Sequence, residues 1–176
     1  MKIKLFLAIS IISTLNLSAK LLNIETIESD FTQIVTNDQN AKVSYKGKLY
    51  ASKKNNKALW EYISPVKKEI YYKGDGKIVI IEPELEQAVF AKLHKVPNIL
   101  RLLQSAKKDG KDKLLTKFNG ITYHIKTNDG KISSINYTDE MKNRVNIIFS
   151  NEKINEKINK SIFAYSIPNS YDIIEQ

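Results

Sequence analysis

The sequence contains no cysteine, which excludes disulfide bonds, thiol catalysis and cysteine-based zinc sites. It also excludes a lipoprotein-type signal, because such a signal lipidates a cysteine after cleavage. An oxidising compartment permits disulfides without requiring them, so the absence does not argue against export.

Arginine is almost as scarce. Lys and Arg number 28, yet only Arg101 and Arg144 are arginine, and the formal net charge is +9. Specific readers of nucleic acid use arginine forks and clustered basic faces. A diffuse, lysine-rich surface is therefore favoured and no nucleic-acid partner is expected, although a basic chain is attracted to anionic membranes or acidic partners.

One long apolar run exists, at residues 5–15, after Lys2 and Lys4 and before Ser18-Ala19. It is shorter than the ~20 residues that cross a bilayer comfortably. Residues 1–19 are predicted to be a cleaved secretory signal peptide, with a buried strand or anchor helix as the alternative. Residues 20–176 are then a single exported domain.

Apolar residues at three- and four-residue spacing predict an amphipathic helix over residues 22–36 and a second over residues 97–108. A short charged helix is predicted over residues 152–159. Two last strands are expected at residues 162–166 and 171–174.

Elsewhere the apolar period is two, which predicts a total of about ten or eleven antiparallel strands when the last two are included. One face of the first of these strands is expected to carry Val43, Tyr45, Gly47, Leu49 and Ala51, and one face of the next is expected to carry Ala58, Trp60 and Tyr62. Asn119-Gly120 and Asp129-Gly130 are typical of tight hairpins. Such a sheet must curl, and periodicity leaves open whether the two helices plug a barrel or cover an apolar cavity.

Catalytic and metal-binding patterns are weak. His94 and His124 have no carboxylate at ligand spacing, no G-x-S-x-G elbow occurs, and Gly74-Asp75-Gly76-Lys77 lacks the rest of a phosphate loop. Glu82, Glu84 and Glu86 alternate as a solvated strand face would, with paired catalytic carboxylates as the alternative. No enzyme activity, metal or cofactor is predicted.

Four short motifs follow one another between Gly47 and Gln87. They are Gly47-Lys48-Leu49-Tyr50, Trp60-Glu61-Tyr62-Ile63-Ser64-Pro65, Asp75-Gly76-Lys77 and Pro83-Glu84-Leu85-Glu86-Gln87, with Phe31-Thr32-Gln33 before them and Phe163-x-Tyr165-x-Ile167-Pro168 after them. In this order and at these gaps the set resembles the LolA family of periplasmic outer-membrane lipoprotein carriers.

The resemblance implies an α+β fold, in which a strongly curved antiparallel sheet forms an incomplete β-barrel with an α-helical lid on its concave face. It implies a monomeric periplasmic carrier that shields the acyl chains of outer-membrane lipoproteins. The implied partners are an inner-membrane ABC-type lipoprotein-release complex and an outer-membrane acceptor.

The residues expected to line an acyl-chain cavity are Leu49, Trp60, Tyr62, Ile99, Leu100 and Leu103, with ordinary core packing as the alternative for each. Phe31 is expected to pack the first helix. The family holds its lid with an arginine in an Arg-Pro pair, where this chain has Lys53-Lys54. Lysine can donate hydrogen bonds but lacks the planar fork of arginine. Lys53 is therefore a candidate latch, with a solvated turn residue as the alternative.

Two other functions stay open at this point. One is a different exported lipid- or hydrophobe-binding protein on the same half-barrel scaffold. The other is an envelope adaptor with a filled barrel and no cavity.

Overall fold

The structure is a computed structural model that describes residues 24–74, 76–92 and 99–176. Twelve strands of these residues form one sheet. They are β1 (Thr26–Thr36), β2 (Lys42–Ser52), β3 (Lys57–Ser64), β4 (Lys68–Tyr72), β5 (Lys77–Glu82), β6 (Gln87–Lys92), β7 (Lys107–Lys108), β8 (Lys113–Phe118), β9 (Ile121–Asn128), β10 (Lys131–Thr138), β11 (Arg144–Ile154) and β12 (Asp172–Glu175). The predicted signal peptide and His94 lie outside the described residues.

The spatial order of the strands is β12-β6-β5-β4-β3-β2-β1-β11-β10-β9-β8-β7. Neighbouring strands are antiparallel except for β12, which runs parallel to β6. The end strands β12 and β7 do not pair with each other, so the sheet is not closed. Asn119-Gly120 and Asp129-Gly130 have positive φ at both residues, as predicted for tight hairpins.

The predicted helix over residues 22–36 is wrong over its described part, because residues 26–36 form β1. This strand pairs with β2 along its whole length and with β11 from Ile27 to Thr36, with a shift of register between Glu28 and Asp30. Ile27 and Phe31 fit both a helical and a strand period, and the polar Ser29 between them concealed the alternation. Ser29 is buried, and its hydroxyl is satisfied there because it donates to the Ser150 carbonyl at 2.8 Å.

The second predicted helix, over residues 97–108, ends earlier than expected. Its described part is α1 (Ile99–Ser105), residues 97 and 98 lie outside the described residues, and Lys107–Lys108 pair with β8 instead of continuing the helix. Ser105 Oγ donates back to the Arg101 carbonyl, which satisfies one acceptor at the helix end.

The end of the chain also differs from expectation. The predicted helix over residues 152–159 is wrong, since β11 continues to Ile154 and the segment 155–159 is irregular. The strand predicted over residues 162–166 is absent from the described structure, where a 3-10 helix (Lys160–Phe163) precedes extended chain. The strand predicted at 171–174 is confirmed, shifted by one residue, as β12.

Each face of the sheet carries its own apolar cluster. The inner cluster contains residues of β1, β2, β9, β10 and β11 together with four buried side chains of α1: Ile99, Leu100, Leu102 and Leu103. The outer cluster lies on β2 to β6 and is covered by the C-terminal segment through Phe163 and Tyr165. The helix therefore packs on one face only, opposite the C-terminal segment.

Candidate functional site

An apolar cavity of about 170 Å³ lies between α1 and the inner face of the sheet. Its walls are Gln33, Trp60, Tyr62, Ile70, Ile99, Leu102, Tyr123, Ile135, Tyr137 and Ile147. Ile70 of β4 and Tyr123 of β9 are six strand spacings apart, which is about 29 Å in a flat sheet at ~4.8 Å per spacing. Because both line one small cavity, the sheet must be strongly curved around it.

Three of the six predicted lining residues, Trp60, Tyr62 and Ile99, form cavity walls. The other three, Leu49, Leu100 and Leu103, are at most 2% exposed and belong to the same inner cluster without lining the cavity. The structure thus brings all six to one face of the sheet. Their contact with a ligand stays a prediction.

Aromatic rings form the wall on the side of β1 and β3. Phe31 packs edge-on against Trp60 and against Tyr62, with ring centroids 5.1 Å apart in both pairs. Trp60 reaches Phe149 of β11 at 6.4 Å. Edge-to-face pairs of this kind contribute about 0.5–1.5 kcal/mol to stability beyond the contribution of their buried area. These pairs therefore stabilise the position of the aromatic wall.

Polar groups interrupt the apolar walls at one side. The Tyr62 hydroxyl donates to Gln33 Oε1 at 2.7 Å. Burial raises the pKa of the Tyr62 phenol, and burial with the nearby Tyr123 and Asp139 raises the pKa of Tyr137 to about 12. Both phenols are therefore neutral at physiological pH and offer hydrogen bonds without charge.

Sequence reasoning missed Gln33, Tyr123 and Tyr137 as parts of the site. Gln33 was assigned to a helix, whereas on a strand its two-residue spacing from Phe31 places both on the same face. Tyr123 and Tyr137 lie on β9 and β10, with ring centroids 4.9 Å apart. The alternation of those strands was the available signal.

A second, more polar groove of about 450 Å³ adjoins the cavity and shares Gln33, Tyr62 and Ile70 with it. An ion pair between Lys68 and Glu82, 2.9 Å long, lines this groove. The hydrogen bond from Lys68 holds the pKa of the Glu82 carboxyl below its usual range. The site therefore passes from an apolar interior to a charged exterior within a few side chains.

The other sequence candidates do not form a catalytic group in the described structure. His124 is exposed on β9. Glu84 lies in a 3-10 helix (Pro83–Leu85) and Glu86 follows it in the left-handed conformation, so the predicted alternation of the three carboxylates along a strand is wrong. No cluster of three His, Asp or Glu side chains in the described ranges could hold a metal ion.

Lys53, the candidate latch, lies in the turn after β2. Its ammonium forms a 2.8 Å ion pair with Glu25, and its backbone N–H donates to the Glu25 carbonyl. Both side chains are partly exposed, at 43% and 55%. The contact fastens the residue just before β1 to the turn between β2 and β3.

An unclosed antiparallel sheet that curves around an apolar cavity with few polar groups is the architecture of a protein that binds apolar ligands. A family model described as outer membrane lipoprotein carrier protein LolA matches residues 22–166. The chain belongs to this LolA family. No helix in the described residues is long and apolar enough to cross a membrane.

The names of similar proteins are consistent with this family assignment. An outer-membrane lipoprotein carrier protein of Campylobacter jejuni is 42% identical over 153 residues, covering 87% of this chain and 88% of the relative. A protein of the same name from Helicobacter pylori is 36% identical over 155 residues, covering 88% and 82%.

Solved structures share the fold at low sequence identity. A LolA superfamily protein from Nitrosomonas europaea has a TM-score of 0.53 at 9% identity, covering 85% of this chain and 96% of its own. An uncharacterised conserved protein from Thermus thermophilus has a TM-score of 0.56 at 9% identity, covering 91% and 97%. These similarities support the fold with an unclosed sheet, and they concern the fold alone.

Proposed function

We propose that this protein is a carrier of outer-membrane lipoproteins that shields their acyl chains from water. The observation that carries the proposal is the apolar cavity between α1 and an unclosed, curved sheet, in a chain of the LolA family. The protein acts by binding and release, not by catalysis.

The size of the cavity indicates how a ligand enters. Pockets that hold drug-sized ligands measure about 300–1,000 Å³, and the cavity of this closed form is about 170 Å³. Acyl chains therefore need α1 to move away, and α1 is the lid of the proposed mechanism. Chains that enter would replace the contacts that Ile99 and Leu102 make with the cavity walls.

Competition between the lid and the ligand makes release feasible. Each buried methylene contributes about 0.8 kcal/mol, and each fully buried leucine or isoleucine of α1 about 1.5–3 kcal/mol. Lid closure offsets part of the ligand's binding energy. Affinity is then moderate, as transfer to another partner requires.

Export and delivery complete the proposed role of the protein. Residues 1–19 direct export, and the mature chain works in the periplasm as a monomer. It receives lipoproteins from an inner-membrane ABC-type release complex and hands them to the outer membrane or an acceptor there. Lys53 acts on the lid only indirectly, because its ion pair with Glu25 fixes the chain just before β1 and neither residue belongs to α1.

Binding to a defined ligand tests the proposal. The mature chain, residues 20–176, would be mixed with a synthetic triacylated lipopeptide and with the same peptide without acyl chains, and complexes would be weighed by native mass spectrometry. A one-to-one complex with the acylated peptide alone is expected. Absence of that complex, with a different lipid found bound to protein purified from the envelope, would favour a carrier of another hydrophobe.

A further inference from the structure

Two hydrogen-bond donors at the cavity walls have no partner among the residues that the structure describes. In the described part of the chain, Gln33 Nε2 and the Tyr137 hydroxyl make no hydrogen bond, although both residues line the cavity. Tyr62 holds the other end of the Gln33 amide by donating to its Oε1 at 2.7 Å. The amide N–H groups of Gln33 therefore remain available to a ligand.

The apolar surroundings of these donors raise the desolvation cost of leaving them without an acceptor when a ligand binds. Most other walls of the cavity are aliphatic or aromatic, including Ile70, Ile135 and Ile147. A donor that loses water in such a site needs an acceptor, or its desolvation opposes binding. A pure hydrocarbon ligand would supply none.

The position of these donors also matters. Gln33 and Tyr62 belong to both the apolar cavity and the adjoining groove, where the Lys68–Glu82 ion pair lies. They thus mark the boundary between an apolar and a charged compartment. In an acylated ligand the corresponding boundary is the ester or amide linkage, whose carbonyl oxygens are acceptors.

Strands hold these groups, so they stay in place when the lid moves. Gln33 lies on β1, which pairs on both sides, and Tyr62 and Tyr137 lie on β3 and β10. None of the three belongs to α1. We propose that the Gln33 amide and the Tyr137 hydroxyl donate to the carbonyl oxygens of ester-linked acyl chains, with Tyr62 as the positioning residue, and so give the cavity a preference for acyl esters over alkyl chains.

This inference rests on the proposed function, since it names the part of the acylated ligand that these residues recognise. The test uses two synthetic lipopeptides that differ only in carrying two ester-linked hexadecanoyl chains or two ether-linked hexadecyl chains. Wild-type protein is expected to bind the ester about fivefold to thirtyfold more tightly, as one or two hydrogen bonds imply. Gln33→Met and Tyr137→Phe should each reduce this ratio severalfold.

Positioning by Tyr62 predicts a partial effect. Tyr62→Phe should lower the ratio of ester to ether affinity by less than Gln33→Met does. Tyr72→Phe is the matched control, because Tyr72 is a buried tyrosine of the inner cluster that does not line the cavity. Its ester preference should equal that of the wild type.

The outcomes separate the two proposals. Wild-type protein that binds both lipopeptides equally, or an ester preference that survives both Gln33→Met and Tyr137→Phe in folded protein, would overturn the donor role and leave the carrier function standing. Failure of wild-type protein to bind either lipopeptide would overturn the carrier function itself, and the donor role with it. Thermal denaturation of each variant distinguishes lost recognition from lost fold.

Discussion

The ring of Phe31 occupies the space beside Gly47 that any larger residue would need. The two residues are opposite each other in the β1–β2 pairing. A Cβ on Gly47 would stand 2.8 Å from Phe31 Cζ and would collide with the backbone carbonyl of Glu61. This relationship explains why glycine opens the Gly47-Lys48-Leu49-Tyr50 motif, and it links that motif to the aromatic wall of the cavity.

Gly47→Ala is therefore expected to destabilise the protein by roughly 2–3 kcal/mol, because a backbone carbonyl and a packed ring must shift. Chemical denaturation measures the change. Gly120→Ala is the control, since nothing lies within 4 Å of its added Cβ and only its φ of +80° opposes the substitution. We expect about 1 kcal/mol there; an equal effect at both positions would contradict the packing explanation.

A charge on the buried face of α1, the proposed lid, is expected to abolish binding. Leu100 is 2% exposed on the inner side of α1, so Leu100→Glu would place a charge in the apolar cluster. We expect α1 to detach and lipopeptide binding to be lost, while the strands keep their pairing and the far-ultraviolet circular dichroism of a sheet. Global unfolding would instead assign Leu100 to the core that holds the sheet together.

The same helix provides a matched control for that experiment. Arg101 is exposed on α1, so Arg101→Glu introduces the same residue on the solvent side. Its lipopeptide affinity should stay within about twofold of the wild type. A comparable loss in both variants would mean that charge or helix propensity, not the apolar face of α1, controls binding.

A half-buried carboxyl on β11 predicts a pH dependence of stability. Burial raises the pKa of Glu152 to about 7 from an ordinary value of 4.5, against the opposing effects of the Ile132 N–H and Lys131. Between these values the native state binds a proton that the unfolded state does not. The contribution to stability is thus full below about pH 4.5 and is lost as the pH rises through 7.

Glu152→Gln should remove that dependence. Relative to the variant, the wild type should lose about 1–2 kcal/mol of unfolding free energy between pH 5 and pH 8, a range that allows for partial exposure of the group. Denaturation curves across this range measure it. Glu156→Gln, at an exposed position nearby, should keep the wild-type slope; parallel slopes for the wild type and Glu152→Gln would refute the assignment.

The proposed latch predicts coupling between Lys53 and Glu25. Exposed ion pairs contribute about 0.2–1 kcal/mol, so Lys53→Met and Glu25→Gln should each accelerate lipopeptide uptake by less than about fivefold. The double variant should show no further change, because one interaction has been removed in each case. Independent, additive effects would show that Lys53 acts through another contact.

Most strands could be predicted from the sequence because their alternation is reinforced by Asn-Gly and Asp-Gly turns. β1 could not, since Ile27 and Phe31 suit a helix as well and only pairing with β2 and β11 decides between the two. The secondary structure of the C-terminal segment could not be predicted for a similar reason. Its apolar residues, such as Phe163, pack on the outer face of the sheet without forming a regular strand.

Part of the cavity wall could be predicted from the sequence. Trp60 and Tyr62 were placed on the correct face by alternation, and Ile99 by its helical spacing. Gln33 and Tyr137 were missed, because Gln33 had been assigned to a helix and because Tyr137 reaches the cavity only through the curvature of the sheet. Curvature of the sheet brings β4 and β9 to one cavity. No local pattern in the sequence encodes how close these two strands come.

In the proposed function, this chain removes lipoproteins from a membrane by shielding their acyl chains. The most direct measurement incubates the mature protein with inner-membrane vesicles that contain a matched lipoprotein-release complex and a triacylated lipoprotein, with ATP. We predict a soluble one-to-one complex that forms only when ATP and the acyl chains are present. If the lipoprotein stays in the vesicles with this chain, while an established carrier releases it from the same preparation, the carrier function is contradicted.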